Sequence, residues 1–288
     1  RGRQRKGGRF ADIRRQPRQA RRVRPAQSFR PHDRRCKVRR ARARYNRGVY
    51  KALRTRHGVR IDERPSAMQT PFGERLQRWS ADPRAPHAIV MPGREMSYAE
   101  FLGSIEGCAR WLVAEGCLPG EIVGVTIGDE LTNLTVTMAL MILGVPQVCL
   151  PTHDPAPMRE SMARRLAVGR IVATRSQHAI AGKALSLATR DALRTSSRLG
   201  PLIAMDADPD ATAHYFTSSG TTGEPKIIPM SQRLLAMRAG HSNYAPGERQ
   251  LLLSTVEDFP ARSARLRCAY MGRTSVLQRS ESSPPESA

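Results

Sequence analysis

Segments typical of strands and helices alternate at a nearly fixed interval in the middle of the chain, and this pattern constrains the fold more than any other feature. Strand-like segments begin at Glu121, Gln147 and Arg170, roughly 25 residues apart. Helices are predicted between them, at Leu131–Leu143 and Met158–Val168. This interval is typical of units in which a helix connects two parallel strands. The sequence therefore predicts an α/β fold with a parallel sheet and flanking helices.

Other segments extend this pattern on both sides. Ser97 and Glu100 form an S-x-x-E capping box, which predicts a helix that ends at Gly116. The apolar stretch Leu131–Pro151 is interrupted by polar residues and by a Gly-Val-Pro break, so it predicts a buried helix and a strand, with no membrane contact. Additional strands are predicted at His87–Met91, Leu202–Asp206 and Ala213–Thr217.

Charge divides the chain into unequal parts. Residues 1–66 carry a net charge of +21, whereas residues 67–288 carry +2. The first part is a run of like charges with no helical or strand period, which predicts a basic disordered leader. After Val256 the sequence becomes rich in Arg, Ser and Pro, so we expect a folded domain over 68–257 and a disordered tail over 258–288.

Two interpretations of the leader stay open. A basic arm of this kind can bind nucleic acid or another polyanion without sequence preference. Alternatively, residues 1–66 have no selected structure, because the chain begins with Arg1 and Met68 is a plausible start.

The cysteines and histidines favour no metal site. The five cysteines are odd in number and show no C-x-x-C pair, which indicates a reducing cytoplasm and neither a disulfide framework nor a zinc site. The seven histidines are scattered without metal-ligand spacing. His153-Asp154 is interpreted as a solvated loop pair rather than a catalytic dyad, and Asp129-Glu130 as acidic residues that complement a helix start.

The segment Ser218–Lys226, SSGTTGEPK, has a composition suited to a phosphate chain. It is predicted to connect the strand Ala213–Thr217 to a second extended segment that begins at Ile227. Its two glycines let the backbone approach a ligand closely, and successive N–H groups of such a loop form a concavity for anions. The hydroxyl groups add donors, and the lysine adds a mobile positive charge. We name Ser218–Lys226 the glycine–hydroxyl segment.

The spacing in this segment differs from that of other phosphate motifs. It matches neither GxxxxGK[ST] nor GxGxxG. Residues 67–288 contain only two lysines, Lys183 and Lys226, and one of them ends this segment. A flexible linker is the alternative interpretation, but a linker has no need of a terminal Pro-Lys.

The stretch Tyr215–Lys226, YFTSSGTTGEPK, resembles the AMP-binding signature of the adenylate-forming superfamily. That family includes acyl-CoA synthetases and the adenylation domains of peptide synthetases. Two supporting features stand upstream in the same order: MSYAEF (Met96–Phe101) and LGVPQVCLPTHDP (Leu143–Pro155). The resemblance covers about residues 70–257, which is the N-terminal portion of such a ligase.

This resemblance implies ATP-dependent activation of a carboxylate. The family uses ATP and Mg²⁺ to form an acyl-adenylate, and then transfers the acyl group to a thiol of coenzyme A or of a carrier protein. The glycine–hydroxyl segment would bind the β- and γ-phosphates and offset the charge on the departing pyrophosphate. The implied phosphate-binding residues are Thr217, Ser218, Ser219, Gly220, Thr221, Thr222, Gly223 and Lys226.

The sequence also departs from the family. Ile227-Ile228-Pro229 replaces the glycine and small aliphatic residue that usually follow Pro-Lys. We find no counterpart of the family's magnesium-binding glutamate, ribose-binding aspartate, hinge or C-terminal catalytic lysine. The chain is therefore expected to contain no complete catalytic set and to be inactive alone. Non-specific nucleic-acid binding through the leader and a degenerate remnant without activity are the alternative functions.

Overall fold

The computed structural model describes residues 70–195, 207–218, 225–241 and 247–278. All of them belong to one compact unit. The predicted leader, the predicted strand Leu202–Asp206 and residues 219–224 of the glycine–hydroxyl segment lie outside the described residues.

Helices and strands alternate along the described residues. The strands are β1 (Ile89–Met91), β2 (Arg94–Met96), β3 (Val123–Thr126), β4 (Gln147–Cys149), β5 (Arg170–Ala173), β6 (Ala184–Leu187), β7 (Thr212–Ser218), β8 (Lys226–Ser231), β9 (Arg249–Leu251) and β10 (Thr274–Val276). The helices are α1 (Pro71–Ala81), α2 (Tyr98–Ala114), α3 (Glu130–Ile142), α4 (Ala156–Arg165), α5 (Arg190–Thr195), α6 (Gln232–Gly240) and α7 (Phe259–Met271). A short 3₁₀ turn, Ser176–His178, follows β5.

The larger sheet confirms the predicted α/β fold. Its six strands lie in the order β6-β5-β3-β4-β7-β8. The first five are parallel to one another, and only β8, at the edge, is antiparallel to its neighbour β7. Because β3, β4 and β5 run in the same direction, their carboxyl ends meet at one edge of the sheet, where ligands of open α/β sheets bind.

Local signals in the sequence set several helix ends. Ser97 accepts a hydrogen bond from the Glu100 amide, and the Glu100 carboxylate accepts one from the Ser97 amide, so the predicted capping box is present at the start of α2. Asp129 caps α3 through the Thr132 amide, at 2.8 Å. Its role at a helix start was also predicted.

A second sheet of four strands has the order β2-β1-β10-β9. Its β10 strand pairs with both β1 and β9, and it belongs to the region that was expected to be a tail. The prediction of a disordered tail over 258–288 was therefore wrong for Phe259–Val276, which forms α7 and β10. The sequence of α7 is rich in arginine, which is typical of an exposed segment, but the structure buries Arg262 and Arg265.

Two apolar clusters lie on the two faces of the larger sheet. One contains Val123, Val125 and Phe216 together with side chains of α2 and α3. The other contains Val148 and Ile171 together with side chains of α4. We name them the first and the second cluster. Within the described ranges, every helix is too short or too polar to cross a membrane.

Candidate nucleotide-phosphate site

The two ends of the glycine–hydroxyl segment lie side by side at the edge of the larger sheet. Ser218, the last residue of β7, is the register partner of Lys226, the first residue of β8. Side chains of directly opposed residues in antiparallel strands project from the same face, with Cβ atoms about 4.5–5.5 Å apart. The prediction that the segment connects two strands is therefore confirmed, and its first hydroxyl lies next to its lysine.

Strand periodicity assigns the predicted residues to opposite faces. Phe216 and its register partner Ile228 contribute to the first cluster. Ser218 comes two residues after Phe216 and Lys226 two residues before Ile228, so both project from the same face. Thr217 pairs with Ile227, which packs against the second cluster, so Thr217 projects from the opposite face. Ser219, Gly220, Thr221, Thr222 and Gly223 lie outside the described residues.

The face that carries Ser218 and Lys226 is adjacent to the start of α7. The ring centroids of Phe216 and of Phe259, the first residue of that helix, are 4.5 Å apart. Lys226 is exposed and Ser218 is partly exposed, whereas Phe216 behind them is buried. The lysine and the hydroxyl thus lie beside buried apolar side chains and are accessible to solvent.

A polar cluster joins the end of β4 to the residues before α7. The Glu257 carboxylate accepts hydrogen bonds from the Thr152 amide at 2.6 Å and from the Thr152 hydroxyl at 2.7 Å. Its side chain is only 3% exposed. A Cβ atom on Gly128, just after β3, would lie 3.1 Å from Thr152 Oγ1, so the ends of β3 and β4 are in close contact with this cluster.

The structure places a second carboxylate, that of Glu257, close to His153. Its Nδ1 atom lies 3.5 Å from Glu257 Oε2, and its Nε2 atom lies 4.0 Å from Asp154 Oδ1. The His153 side chain is 54% exposed, in agreement with the predicted solvated position. Sequence reasoning missed Glu257, although Asp258 before Pro260 is a helix-start signal that could have indicated a folded region there.

Buried polar groups lie behind the site. His214 is fully buried on β7, and burial, followed by the nearby Arg262 charge, holds the pKa of its imidazole well below the usual value. Burial also raises the pKa of the Cys149 thiol to about 12. Neither group is therefore in its charged form at neutral pH, and Arg262 carries the positive charge in this region.

The arrangement can bind and orient anionic oxygens. Lys226 provides a point charge with three donors, and Ser218 provides a hydroxyl donor beside it. Neither is accompanied by a general base that would make it a nucleophile within the described residues. The chemistry of this donor set fits a phosphate chain and the electrostatic stabilisation of charge on it.

The α/β fold, with the two ends of this segment at the edge of its sheet, matches the N-terminal subdomain of adenylate-forming ligases. The family model of the AMP-binding enzymes matches residues 76–279. The chain therefore belongs to the family of AMP-binding enzymes.

Comparison with curated proteins gives relatives among ligases and synthetases. The chain is 28% identical to a 4-chlorobenzoate–CoA ligase from Arthrobacter sp. over 186 residues. This alignment covers 59% of this chain and 35% of the ligase. It is 25% identical over 174 residues to the phenyloxazoline synthase MbtB from Mycobacterium sp. (strain MCS). That alignment covers 59% of this chain and 15% of the synthase.

Solved structures share the fold. The O-succinylbenzoate coenzyme A synthetase MenE from Bacillus subtilis, in complex with AMP, superimposes with a TM-score of 0.63 at 18% identity. The match covers 72% of this chain and 56% of the synthetase. The chain thus spans about half the length of the solved proteins that it matches, in their N-terminal portion, and a smaller share of the curated relatives.

Proposed function

We propose that this chain binds the triphosphate of ATP through the glycine–hydroxyl segment and contributes this step to the activation of a carboxylate as an acyl-adenylate. The acyl group then passes to a thiol of coenzyme A or of a carrier protein. The observation that carries the proposal is the register pair of Ser218 and Lys226 at the sheet edge. Family membership supports the same chemistry.

Thr217, Ser218, Ser219, Gly220, Thr221, Thr222, Gly223 and Lys226 are the proposed phosphate-binding residues. Lys226 is proposed to neutralise the β- and γ-phosphates, and the hydroxyl and amide donors to orient them. Mg²⁺ is proposed to bind as part of the nucleotide complex, since hydroxyl and phosphate oxygens are ligands that it accepts. A MenE structure in complex with ATP and a magnesium ion supports this pairing.

The acid and the acceptor thiol are proposed from relatives. Two curated relatives are named as a CoA ligase and a multi-domain synthase, so both coenzyme A and a carrier protein are candidate acceptors. The four described cysteines are free and buried, as is usual for proteins of a reducing compartment. This observation supports the proposal of a cytoplasmic location.

The proposal is tested by nucleotide affinity. We expect the full chain to bind Mg-ATP more tightly than AMP in isothermal titration calorimetry, because only ATP has the two distal phosphates. Lys226→Ala should weaken ATP binding by about 10-fold or more, since one charge-assisted hydrogen bond is worth roughly 1.5–3 kcal/mol. AMP binding should change little.

The chain provides a matched control. Lys183 is the other lysine of residues 67–288, and it lies just before β6, at the opposite end of the parallel strands. Lys183→Ala removes the same charge and should leave ATP binding unchanged. Equal losses in both variants would indicate non-specific electrostatic attraction and would contradict the proposal.

We further propose that the 288 residues alone bind nucleotide without forming the acyl-adenylate. The match covers 56% of the MenE chain, and losing even one preorganised donor typically costs roughly 10²–10³ in rate. Carboxylate-dependent exchange of pyrophosphate into ATP, with fatty, aryl and amino acids, measures this directly. Robust exchange by the purified chain would contradict it.

The charge of residues 1–66 favours a second candidate function, non-specific binding of nucleic acid. The net charge of +21 in that part predicts an affinity that falls steeply with salt and that is lost when 1–66 is deleted. Limited proteolysis tests the proposed domain division at the same time, because it should remove the leader and leave a resistant body. Binding retained by the body alone would count against this function.

A further inference from the structure

We infer that Arg165 is a positioning residue for Lys226. This inference rests on the proposed function, because it assigns a role at the same phosphate site. Arg165 is the last residue of α4, and its Nη2 atom donates a hydrogen bond to the carbonyl oxygen of Pro225, at 3.1 Å. Pro225 directly precedes Lys226, so the contact falls where the glycine–hydroxyl segment enters β8.

This hydrogen bond restrains one peptide plane. The Pro225 carbonyl and the Lys226 N–H belong to the same planar unit, and in a trans peptide they point in opposite directions. With the carbonyl directed at Arg165, the N–H of Lys226 is directed away from it, so the hydrogen bond restricts rotation of the peptide plane that leads into Lys226. The peptide bonds described by the structure contain no cis form.

Helix α4 restrains the other side of Lys226 through apolar contacts. Ile227 packs against the second cluster, to which Met162 and Ala163 of α4 also belong. The same helix therefore donates a hydrogen bond to the residue before Lys226 and contributes two side chains to the cluster against which the residue after it packs. Restraint on both sides lowers the conformational freedom that Lys226 loses when it binds a phosphate.

Arg165 also places a guanidinium close to the phosphate site, so its charge must be separated from its hydrogen bond. Arg164 precedes it in the last turn of α4 and is also exposed, which makes Arg164→Ala a control of equal charge. Arg165→Lys keeps the charge but replaces the planar guanidinium by a single ammonium group on a different stem.

The experiment is a double-mutant cycle read by calorimetry with Mg-ATP and with AMP. Arg165→Ala should weaken ATP binding measurably, by up to about ten-fold, since the lost restraint is worth at most one net hydrogen bond, and it should leave AMP binding unchanged. When Lys226 is already alanine, Arg165→Ala should have little further effect, because Arg165 acts through that lysine. Arg165→Lys should restore part of the affinity, and Arg164→Ala should match the wild type.

The outcomes separate this inference from the proposed function. If the wild type does not distinguish ATP from AMP, the proposed function fails, and the inference fails with it. If Lys226→Ala loses ATP binding while Arg165→Ala equals the wild type, only the inference is overturned. Additive losses in the cycle, or an equal loss in Arg164→Ala, would show a general charge effect and would also overturn it.

Discussion

The ion pair between Glu130 and Arg265 allows a quantitative test of how α7 is attached to the fold. Arg265 Nη2 lies 2.7 Å from Oε1 and 2.6 Å from Oε2 of the Glu130 carboxylate. The Arg265 side chain is 1% exposed and the Glu130 side chain 12% exposed. The pair connects the start of α3 to a helix that sequence analysis did not predict.

Glu130→Ala should destabilise the domain by about 3–5 kcal/mol, the usual cost of leaving a buried charge without its partner. The remaining described contact of the Arg265 guanidinium is to the Ala261 carbonyl, at 3.5 Å, which is too long to compensate. A typical domain has a stability of about 5–15 kcal/mol, so this single change removes a large fraction of it.

Replacing both partners should cost less than replacing one. Burial raises the pKa of the Glu130 carboxyl, even though the Arg265 hydrogen bond lowers it, so desolvation is the largest effect at this pair. A pair with this balance contributes little net stability over apolar side chains of similar volume. The double variant Glu130→Leu with Arg265→Met should therefore be more stable than Glu130→Ala.

Urea unfolding followed by far-UV circular dichroism measures both variants, with stability taken from the midpoint and the slope. A loss below about 1 kcal/mol in Glu130→Ala would show that the charge is solvated in solution, contrary to its burial here. A double variant that is less stable than Glu130→Ala would refute the reasoning about desolvation.

Two further predictions concern His214 and Gly272. Because the pKa of His214 is depressed in the folded state, the unfolded chain takes up a proton first as pH falls below about 6.5, so stability should decrease from there downward. His214→Phe should flatten this pH dependence in urea unfolding, and an unchanged slope would contradict it. Gly272 has a φ of +70°, and an added Cβ would lie 2.5–2.8 Å from ring atoms of Trp79, so Gly272→Ala should cost about 2–4 kcal/mol. Gly182→Ala, at a φ of +74° with open space around it, should cost only about 1 kcal/mol in the same assay.

The sequence predicted the elements whose signals are local. The capping box at Ser97 and the parallel strands β3, β4 and β5 follow from spacing and apolar pattern alone, and both are present. The connection between β7 and β8 was also predicted. These features depend on residues that are neighbours in sequence.

The elements that sequence reasoning missed depend on distant partners. The buried arginines made α7 resemble a polar tail, but Arg262 donates to Thr137 and Arg265 to Glu130, which lie 125 and 135 residues away. At the site, Arg165 and Glu257 make their contacts across 60 and 105 residues. A polar side chain can be buried when such partners exist, and one sequence does not reveal them.

The most direct test of the central claim is amide hydrogen exchange across the whole chain, with and without Mg-ATP. The account predicts that ATP slows exchange in peptides that cover the glycine–hydroxyl segment, Ser218–Lys226, and that Lys226→Ala reduces this protection. Inorganic triphosphate should give the same pattern and AMP a weaker one. Protection confined to residues 1–66, with no change at Ser218–Lys226, would show that ATP binds the basic leader and would contradict the account.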